Sequence, residues 1–412
     1  MASSEITLEA VPSVSDIQAA DWDACANPKP GPSSLENFDT LAVSGSQSDP
    51  CKGAYNPFVS HAFFAAAEAS GSACARTGWG PRHLLARLDG EIAGIVPCYL
   101  KSHSQGEYVF DRGWADAYER AGGHYYPKLQ ASVPFTPATG PRLLIRGDVD
   151  RERIGTALAS GLMALCNATN ASSVHVTFAP EAEAKFLGAH GFLQRNDQQF
   201  HWHNEGYGTF DDFLTSLNSR HRKAIKRERR EAVAAGITIH HLTGADITED
   251  AWDAFFAFYM ETGSRKWGRP YLTRKFFSLI GESMSRDVLL VMAKRNGRWI
   301  AGAINFIGSD TLFGRNWGAV EHHPFLHFEV CYYQAIDFAI QRGLKVVEAG
   351  AQGEHKLARG YLPQTTYSAH FIADPDLRRA IADYLKRERA YVAAAGRELT
   401  EAGPFRKAAD EA

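Results

Sequence analysis

The sequence lacks paired cysteines. Its six cysteines are scattered, and none belongs to a Cys-x-x-Cys motif, which excludes zinc ribbons and dithiol redox motifs as the basis of its function. Scattered cysteines of this kind fit a chain that works in a reducing compartment. They stand at positions 25, 51, 74, 98, 166 and 331.

The sequence also lacks a long apolar run, a strong net charge and a targeting leader. No apolar stretch approaches the roughly 20 residues that a membrane-spanning helix needs. The net charge of −3 gives no overall field that favours DNA or a membrane surface. The opening residues, MASSEITLEA, match neither a secretory nor a basic amphipathic leader. We therefore expect a cytoplasmic protein with no membrane insertion and no DNA partner.

Apolar residues, in contrast, are plentiful enough for large cores. The chain has 412 residues, of which 45% are hydrophobic and 24 are Phe. At about 100–200 residues per domain, this length predicts two or three domains.

Both halves of the chain predict the same order of elements: helices, an antiparallel meander of three strands, a helix, a strand, a helix and a final strand. The turn dipeptides Asp89-Gly90 and Asn296-Gly297 mark the first hairpin of each meander. We expect the third strand at Glu107–Phe110 in the first half and at Thr311–Arg315 in the second. Hairpins mixed with helices indicate the α+β class, because repeated βαβ units would lack them.

Three short internal matches in the same order predict that the two halves are a duplicated domain. The matched pairs are 89–95 with 296–303, 108–114 with 312–317, and 191–193 with 360–362.

The predicted boundary between the two domains lies after residue 206. The first domain, 1–206, contains a surface loop at 27–56 and an ordered loop insertion at 121–142. The second domain, 207–412, contains a basic helix at 219–235 and a C-terminal helix.

The segment from Lys345 to Pro363, KVVEAGAQGEHKLARGYLP, is the centre of the second half. Its apolar, β-branched start predicts a short buried strand that ends at Glu348. Gly350 and Gly353 then permit a tight turn, and a short helical turn rich in cations follows. Glycines after a strand and cations at a helix start predict an anion site. A solvated charged turn is the alternative interpretation.

Six longer stretches resemble the FemAB-like group of N-acyltransferases, which is related to the FemABX family of peptidoglycan aminoacyltransferases. They are NPFVSHAFFAAAEASGS (56–72), KSHSQGEYVFDRGWADAY (101–118), YYPKLQASVPFTPATGPRLL (125–144), SRHRKAIKRERREA (219–232), GRNWGAVEHHPFLHFEVCYYQAIDFAI (314–340) and EAGAQGEHKLARGYLP (348–363).

This resemblance implies two tandem domains of the acyl-CoA N-acyltransferase (GNAT) fold, each a mixed, mainly antiparallel sheet flanked by helices. It implies direct acyl transfer to an amine without a covalent enzyme intermediate. The usual GNAT signature, Gln/Arg-x-x-Gly-x-Gly/Ala, is not visible after either meander, so aminoacyl-tRNA stays open beside acyl-CoA as the co-substrate. No bound cofactor is expected. The acceptor would be an amine on a small molecule or a peptidoglycan precursor, and tRNA is a candidate partner.

The catalytic candidates are Lys356, Glu348 and His355. In related enzymes a lysine in the turn after this strand lies near the substrate phosphate or the reacting ester, and Lys356 is the matching residue. A carboxylate at a strand end is held rigidly enough to act as a base, which favours Glu348, with Glu354 also near in sequence. The competing interpretation is that Glu348 only pairs with Lys356 or Arg359. His355 fits a base and a packing residue equally well.

The substrate-binding candidates lie at the ends of the third strands and in the glycine turn. We expect Arg315 and Trp317 to reach the same sheet edge as Glu348, and Asp111 and Trp114 to take the equivalent place in the first half. Tryptophans at such places more often fill a core than stack on a ligand. The full set is Arg315, Trp317, Gln352, Gly353, Arg359, Asp111 and Trp114.

No metal site is predicted. His323 and His327 are four residues apart, but Pro324 intervenes and no full ligand set follows. His201 and His203 share a strand face, where a structural use is favoured.

The run from Arg220 to Arg230 holds seven Lys or Arg residues and one Glu. On a helix it would create a local positive field, and we assign Arg222, Lys223 and Lys226 to phosphate binding on a tRNA or a pyrophosphate. The alternative is a solvated helix, since charge runs are usually solvated.

The sequence thus predicts a GNAT-fold enzyme that transfers an acyl or aminoacyl group to an amine, in peptidoglycan or cell-envelope metabolism. The alternative is a non-catalytic module that binds a peptidoglycan precursor or another anionic ligand.

Overall fold

The computed structural model describes residues 5–28, 55–267, 270–350 and 353–406, which covers only the ends of the predicted loop at 27–56. The chain divides into two compact units. Unit 1 comprises residues 1–196 and 366–389, and unit 2 comprises residues 197–365 and 390–412. The predicted contiguous domains, 1–206 and 207–412, differ from these units mainly because residues 366–389 group with unit 1.

Unit 1 begins with a strand, short helices and hairpins, and later in its sequence a fully buried strand stands between two helices. Its first elements are β1 (Ile6–Val11), α1 (Ala19–Ala26), α2 (His61–Ala69), β2 (Trp79–Pro81), β3 (His83–Leu88), β4 (Glu91–Val96) and β5 (Cys98–Lys101). They are followed by α3 (Arg112–Arg120), β6 (Lys128–Ala131), β7 (Leu144–Ile145), α4 (Arg151–Ala168), β8 (Ser173–Ala179) and α5 (Glu181–Ala189).

Three further elements cross the division between the units. They are β9 (Leu193–His203), β15 (Leu362–Ile372) and α12 (Pro375–Glu401).

Unit 2 contains the predicted basic helix and a long meander. Its elements are α6 (Phe210–Ser216), α7 (Ser219–Ala232), β10 (Ile237–Leu242), α8 (Glu249–Trp267), α9 (Arg274–Met284), β11 (Val288–Arg295), β12 (Arg298–Ile307) and β13 (Thr311–Ala319). A continuous helical segment follows, made of α10 (Leu326–Phe328), a π-helical turn (Glu329–Tyr333) and α11 (Gln334–Gln341); then come β14 (Val346–Glu348) and a 3₁₀ turn (Glu354–Arg359).

The strands of the two units follow one pattern. In unit 1, β5 pairs antiparallel with β6, β6 parallel with β8, and β8 antiparallel with β15. In unit 2, β12 pairs antiparallel with β13, β13 parallel with β14, and β14 antiparallel with β9. The order and directions agree, as a duplication predicts. The last strand of each unit, however, comes from the other half of the sequence, which is why 366–372 belongs to unit 1.

Local sequence explains most of these elements. Both predicted hairpin turns have positive φ at their two central residues, Asp89 and Gly90 (φ 51° and 91°) and Asn296 and Gly297 (φ 49° and 77°), as type I′ turns require. Side-chain oxygens of Asp150 and Asn218 cap the first turns of α4 and α7. The α+β class and the mixed, mainly antiparallel sheets flanked by helices are confirmed.

The predicted third strand of the first half, Glu107–Phe110, is wrong. The chain there is irregular, Tyr108 has a φ of 62°, and α3 begins at Arg112. The cause is charge, because Lys128 Nζ lies 2.7 Å from Glu107 Oε2 and also contacts Asp111, which draws both acids inward. The third strand is β6, which lies inside the predicted loop 121–142. In the internal match of 108–114 with 312–317, the first segment is therefore a loop and the start of a helix, whereas the second is a strand.

Within the described residues, no helix combines the length and the apolar character needed to cross a membrane.

Candidate functional site

The candidate site of unit 2 lies where β13 and β14 stop pairing. The two strands are parallel neighbours only from Thr311 and Val346 to Phe313 and Glu348, after which β14 ends while β13 runs on to Ala319. A Cβ on Gly314 would stand 3.2 Å from the carbonyl oxygen of Glu348, so a glycine lets the backbones approach closely there. Because of this divergence, Arg315 and Asn316, which follow Gly314 on β13, lie beyond the point where β14 ends.

At this point Glu348 forms a buried ion pair with Arg315. Arg315 Nη2 donates to Glu348 Oε2 at 3.0 Å, and both side chains are at most 5% exposed. The third member is His201 on β9, opposite Glu348 in the strand pairing, with Nε2 3.9 Å from Glu348 Oε1. Burial lowers the pKa of His201 to about 4, so its ring is neutral at pH 7. We call these three residues the strand-end site.

Lys356 is buried and serves the loop after β14. Its Nζ donates to the carbonyl oxygens of Ala349 at 2.5 Å and Gly350 at 3.1 Å, and the side chain is 4% exposed. Burial lowers the pKa of Lys356 to about 8. The sequence predicted an anion site in which backbone N–H groups and the Lys356 ammonium face the same anion. In the structure this ammonium instead donates to carbonyl oxygens.

His355 packs against aromatic rings beside this turn. Its Nε2 lies 2.9 Å from the hydroxyl of Tyr332, and its ring centroid lies 5.6 Å from that of Phe328. Gly353 has a φ of 108°, and a Cβ there would stand 2.3 Å from the His355 ring, so only glycine fits this position.

Arg359 belongs to a buried network on the other side of the turn. Its Nη2 lies 2.9 Å from both carboxylate oxygens of Glu228, which also accepts from the hydroxyl of Tyr333. The guanidinium stacks 3.4 Å from the ring centroid of Phe328. Neither Lys356 nor Arg359 pairs with Glu348 among the described residues, so the partners named in the competing interpretation of Glu348 are wrong.

A pocket of about 400 Å³ is lined by the last residues of β13, the loop that follows it and α10. Trp317 forms one wall. A β-bulge between Gly314 and Trp317 interrupts the alternation of β13, so strand spacing does not place Trp317 on the face of Arg315. His327 and Phe328 of α10 form another, and the Trp317 and His327 rings lie 5.2 Å apart. Trp317 is partly buried: it packs against the core of unit 2, as the sequence favoured, and it also lines this pocket.

Asp111 and Trp114 lie in unit 1 and are not the counterparts of Arg315 and Trp317. Asp111 accepts a hydrogen bond from Tyr125 at 2.7 Å, in addition to its contact with Lys128. Trp114 lies on α3, where the Arg195 guanidinium stands 5.0 Å from its ring centroid. Both side chains are buried, so they hold the core of their own unit.

The basic helix α7 has an inner and an outer face. Arg222, Lys223 and Lys226 are not buried, and Lys226 Nζ lies 3.1 Å from Asp211 on α6. Arg229 instead pairs with Glu329 at 3.1 Å and with Asp337 at 2.7 Å. Two of the three predicted phosphate contacts therefore have no ion pair within the described part of the chain, and the third has an exposed partner.

The sequence analysis missed His201 as a neighbour of Glu348, and it missed Glu228. A signal for Glu228 was present, because it is the one acid in the basic run and shares a helical face with the apolar residues Ile225 and Ala232. Gln352, predicted to bind substrate, lies outside the described residues. Over the ranges that the structure describes, no cluster of three or more His, Cys, Asp or Glu is arranged to hold a metal ion.

A family model named FemAB-like and described as peptidoglycan biosynthesis/recognition matches residues 13–407. No curated protein matches the sequence.

Similar solved structures have low sequence identity. A crystal structure of FemX is 12% identical, with 76% of this chain and 93% of that one covered and a TM-score of 0.50, which shows the fold. A tandem GNAT protein from the clavulanic acid biosynthesis pathway is 12% identical, with 90% and 99% covered and a TM-score of 0.46. L-PGS from Bacillus licheniformis is 10% identical, with 81% and 98% covered and a TM-score of 0.48.

Proposed function

This chain belongs to the FemAB-like family of peptidoglycan biosynthesis and recognition, and we propose that it is an N-acyltransferase acting in peptidoglycan metabolism. It moves an acyl or aminoacyl group from acyl-CoA or aminoacyl-tRNA to an amine of a peptidoglycan precursor or a small molecule. The observation that carries this proposal is Glu348, a buried carboxylate that pairs with Arg315 where β14 ends.

The reaction needs a proton acceptor next to the attacking amine. The amine nitrogen forms a C–N bond with the carbonyl carbon, and the C–S bond of a thioester or the C–O bond of an ester breaks. Glu348 accepts the proton that the amine loses, and this proton then goes to the leaving thiolate or alkoxide. Arg315 Nη2 donates to Glu348 Oε2 and so holds this carboxylate in a fixed position for the amine.

The lining of the pocket suits the acyl or aromatic part of a donor better than its phosphate groups, because it presents ring faces and the acid Glu321. Trp317, His327 and Phe328 offer ring faces to an acyl chain or an aromatic base, and the nearby Glu321 accepts from Arg295 at 3.1 Å and lies 2.9 Å from His323. We propose that the acyl group lies along Trp317.

The test is direct. Purified protein is supplied with an acyl-CoA or an aminoacyl-tRNA and a panel of amines, and the release of free thiol or the discharge of the tRNA is measured. Amine-dependent release from either donor supports the enzyme. Tight binding of a peptidoglycan precursor without turnover of either donor would instead favour the non-catalytic binding module.

Lys356 gives a prediction about pH. Its pKa is about 8 in the folded state and near 10.5 in an unfolded chain, so between these values the unfolded state binds more protons and stability rises with pH. We expect wild type to gain stability relative to Lys356→Met as the pH increases from 8 to 10.5, measured by urea unfolding at several pH values. An unchanged difference across this window would contradict a buried ammonium.

The same variant separates positioning from catalysis. Lys356→Met keeps the stem but leaves the carbonyl groups of Ala349 and Gly350 without their donor, which costs about 1–3 kcal/mol for a buried polar group. We expect both transfer and thermal stability to decrease. Lost transfer with an unchanged melting temperature would point to a direct contact with substrate.

The outer face of α7 gives a prediction about salt. If Arg222, Lys223 and Lys226 bind a phosphate-bearing donor, replacing all three with Ala should weaken donor binding and reduce the slope of log K against log [salt] by about 2–3. The control is Lys185→Ala, an exposed lysine of unit 1 that pairs with Glu181 at 2.7 Å. A slope equal to that of wild type would leave α7 as a solvated helix.

A further inference from the structure

Unit 1 contains a second pocket that the transfer reaction does not use. It has a volume of about 340 Å³ and lies between the first turns of α4 and α5. Its walls are mainly apolar and include Leu143, Ile145 and Phe186. Small-molecule sites typically combine such walls with a few well-placed polar groups.

One of the polar groups is Glu183, a buried carboxylate with unused hydrogen-bonding capacity. The residue lines the pocket and is 7% exposed. Its Oε1 accepts from the backbone amides of Arg142 at 2.9 Å and Leu143 at 3.2 Å. Its Oε2 is buried and has no hydrogen-bond partner among the described residues. A buried acceptor without a donor is unfavourable, so this oxygen is suited to a ligand N–H group.

The opposite charge is present at the same pocket. Arg151, in the first turn of α4, lines it. Burial raises the pKa of Glu183, and the charge of Arg151 is among the interactions that partly offset this rise. The nine-residue helix α5 begins there after Pro180, which has no side-chain oxygen to cap the first amides. A cationic side chain next to a helix N-terminus favours an anionic ligand group.

We propose that this pocket binds a free α-amino acid with an apolar side chain. The ammonium group donates to Glu183, the carboxylate faces Arg151 and the first amides of α5, and the side chain packs against Leu143, Ile145 and Phe186. The proposal concerns unit 1 alone and does not depend on the transferase activity proposed for unit 2.

Binding of leucine to the whole protein tests it. Calorimetry or saturation-transfer NMR would compare L-leucine with two analogues that each lack one charge, 3-methylbutylamine and 4-methylpentanoate. We expect leucine to bind at least about tenfold more tightly than either analogue, because each lost charge removes a charge-assisted hydrogen bond.

Two variants localise the effect. Glu183→Gln keeps the oxygen that caps Arg142 and Leu143 but removes the charge, and we expect it to weaken leucine binding at least about tenfold. Ala182→Phe fills the pocket from an exposed position on α5 and should abolish binding without unfolding the protein.

The matched control is Glu181→Gln, which makes the same charge change at an exposed position of α5 that pairs with Lys185. It should bind leucine as wild type does. Absence of leucine binding to wild type would overturn the proposal, and so would binding that Glu183→Gln and Ala182→Phe leave unchanged.

Discussion

Glu348→Gln should lower kcat for acyl transfer by about 10²–10⁴-fold, the range expected when a positioned general base is removed. Glutamine keeps the shape of the side chain and can still accept a hydrogen bond from Arg315, which stands 3.0 Å away. What it loses is the capacity to take the amine proton. The expected signature is a large decrease in kcat with a smaller change in KM.

The control for this variant must break a similar ion pair elsewhere. Glu388→Gln does so in unit 1, where Glu388 pairs with Arg195 through two contacts of 2.8 Å and 2.9 Å. We expect the control to lose stability while each folded molecule keeps its transfer rate. Equal decreases of kcat in the two variants would mean that Glu348 supports the fold and is not the base.

Local sequence signals predicted the elements that local interactions determine. The Asp-Gly and Asn-Gly hairpins are present because their two central residues must adopt positive φ, which few other dipeptides allow. The basic helix, predicted at 219–235, is present as α7 (Ser219–Ala232), since its periodicity and its cap lie within the helix itself. The family and the fold class followed from these signals and from longer matching stretches.

Non-local pairing explains what the sequence could not predict. Strand β6 reads KLQA, has four residues and no β-branched side chain, and is a strand because β5 and β8 lie on its two sides. The stretch Tyr108–Phe110 has better strand formers but is held as a loop by buried charges. The exchange of β9 and β15 between the units likewise depends on partners that are more than 140 residues away in the chain.

The candidate site was predicted only in part, because its contacts are also non-local. Glu348 and Arg315 were both singled out, but their pairing joins residues 33 positions apart, and no spacing rule connects them. Lys356 and Arg359 are three residues apart on the 3₁₀ turn, yet Lys356 donates to loop carbonyl oxygens and Arg359 donates to Glu228. Sequence can name the charged residues of such a turn, whereas their partners follow from the packing of several elements.

The largest stability effect should come from Arg359→Met. Arg359 and Glu228 form a buried pair, with side chains that are 8% and 11% exposed. Once the guanidinium is removed, the Tyr333 hydroxyl is the one remaining donor to the Glu228 carboxylate within this network. Breaking one partner of a buried pair costs about 3–5 kcal/mol, because an uncompensated charge stays out of water. We expect a decrease of this size in the free energy of unfolding, measured by urea denaturation.

A double variant and a surface control show whether burial is the cause. Glu228→Gln combined with Arg359→Met removes both charges, and we expect it to recover most of the lost stability. Arg274→Met breaks ion pairs with Glu249 and Asp253, whose side chains are 64% and 69% exposed, and should cost less than about 1 kcal/mol. If Arg359→Met costs no more than this control, the turn that carries His355 and Lys356 is not anchored by the Glu228 pair. A cost near 4 kcal/mol that the double variant reverses would mean that the buried pair with Glu228 of α7 holds this turn in place.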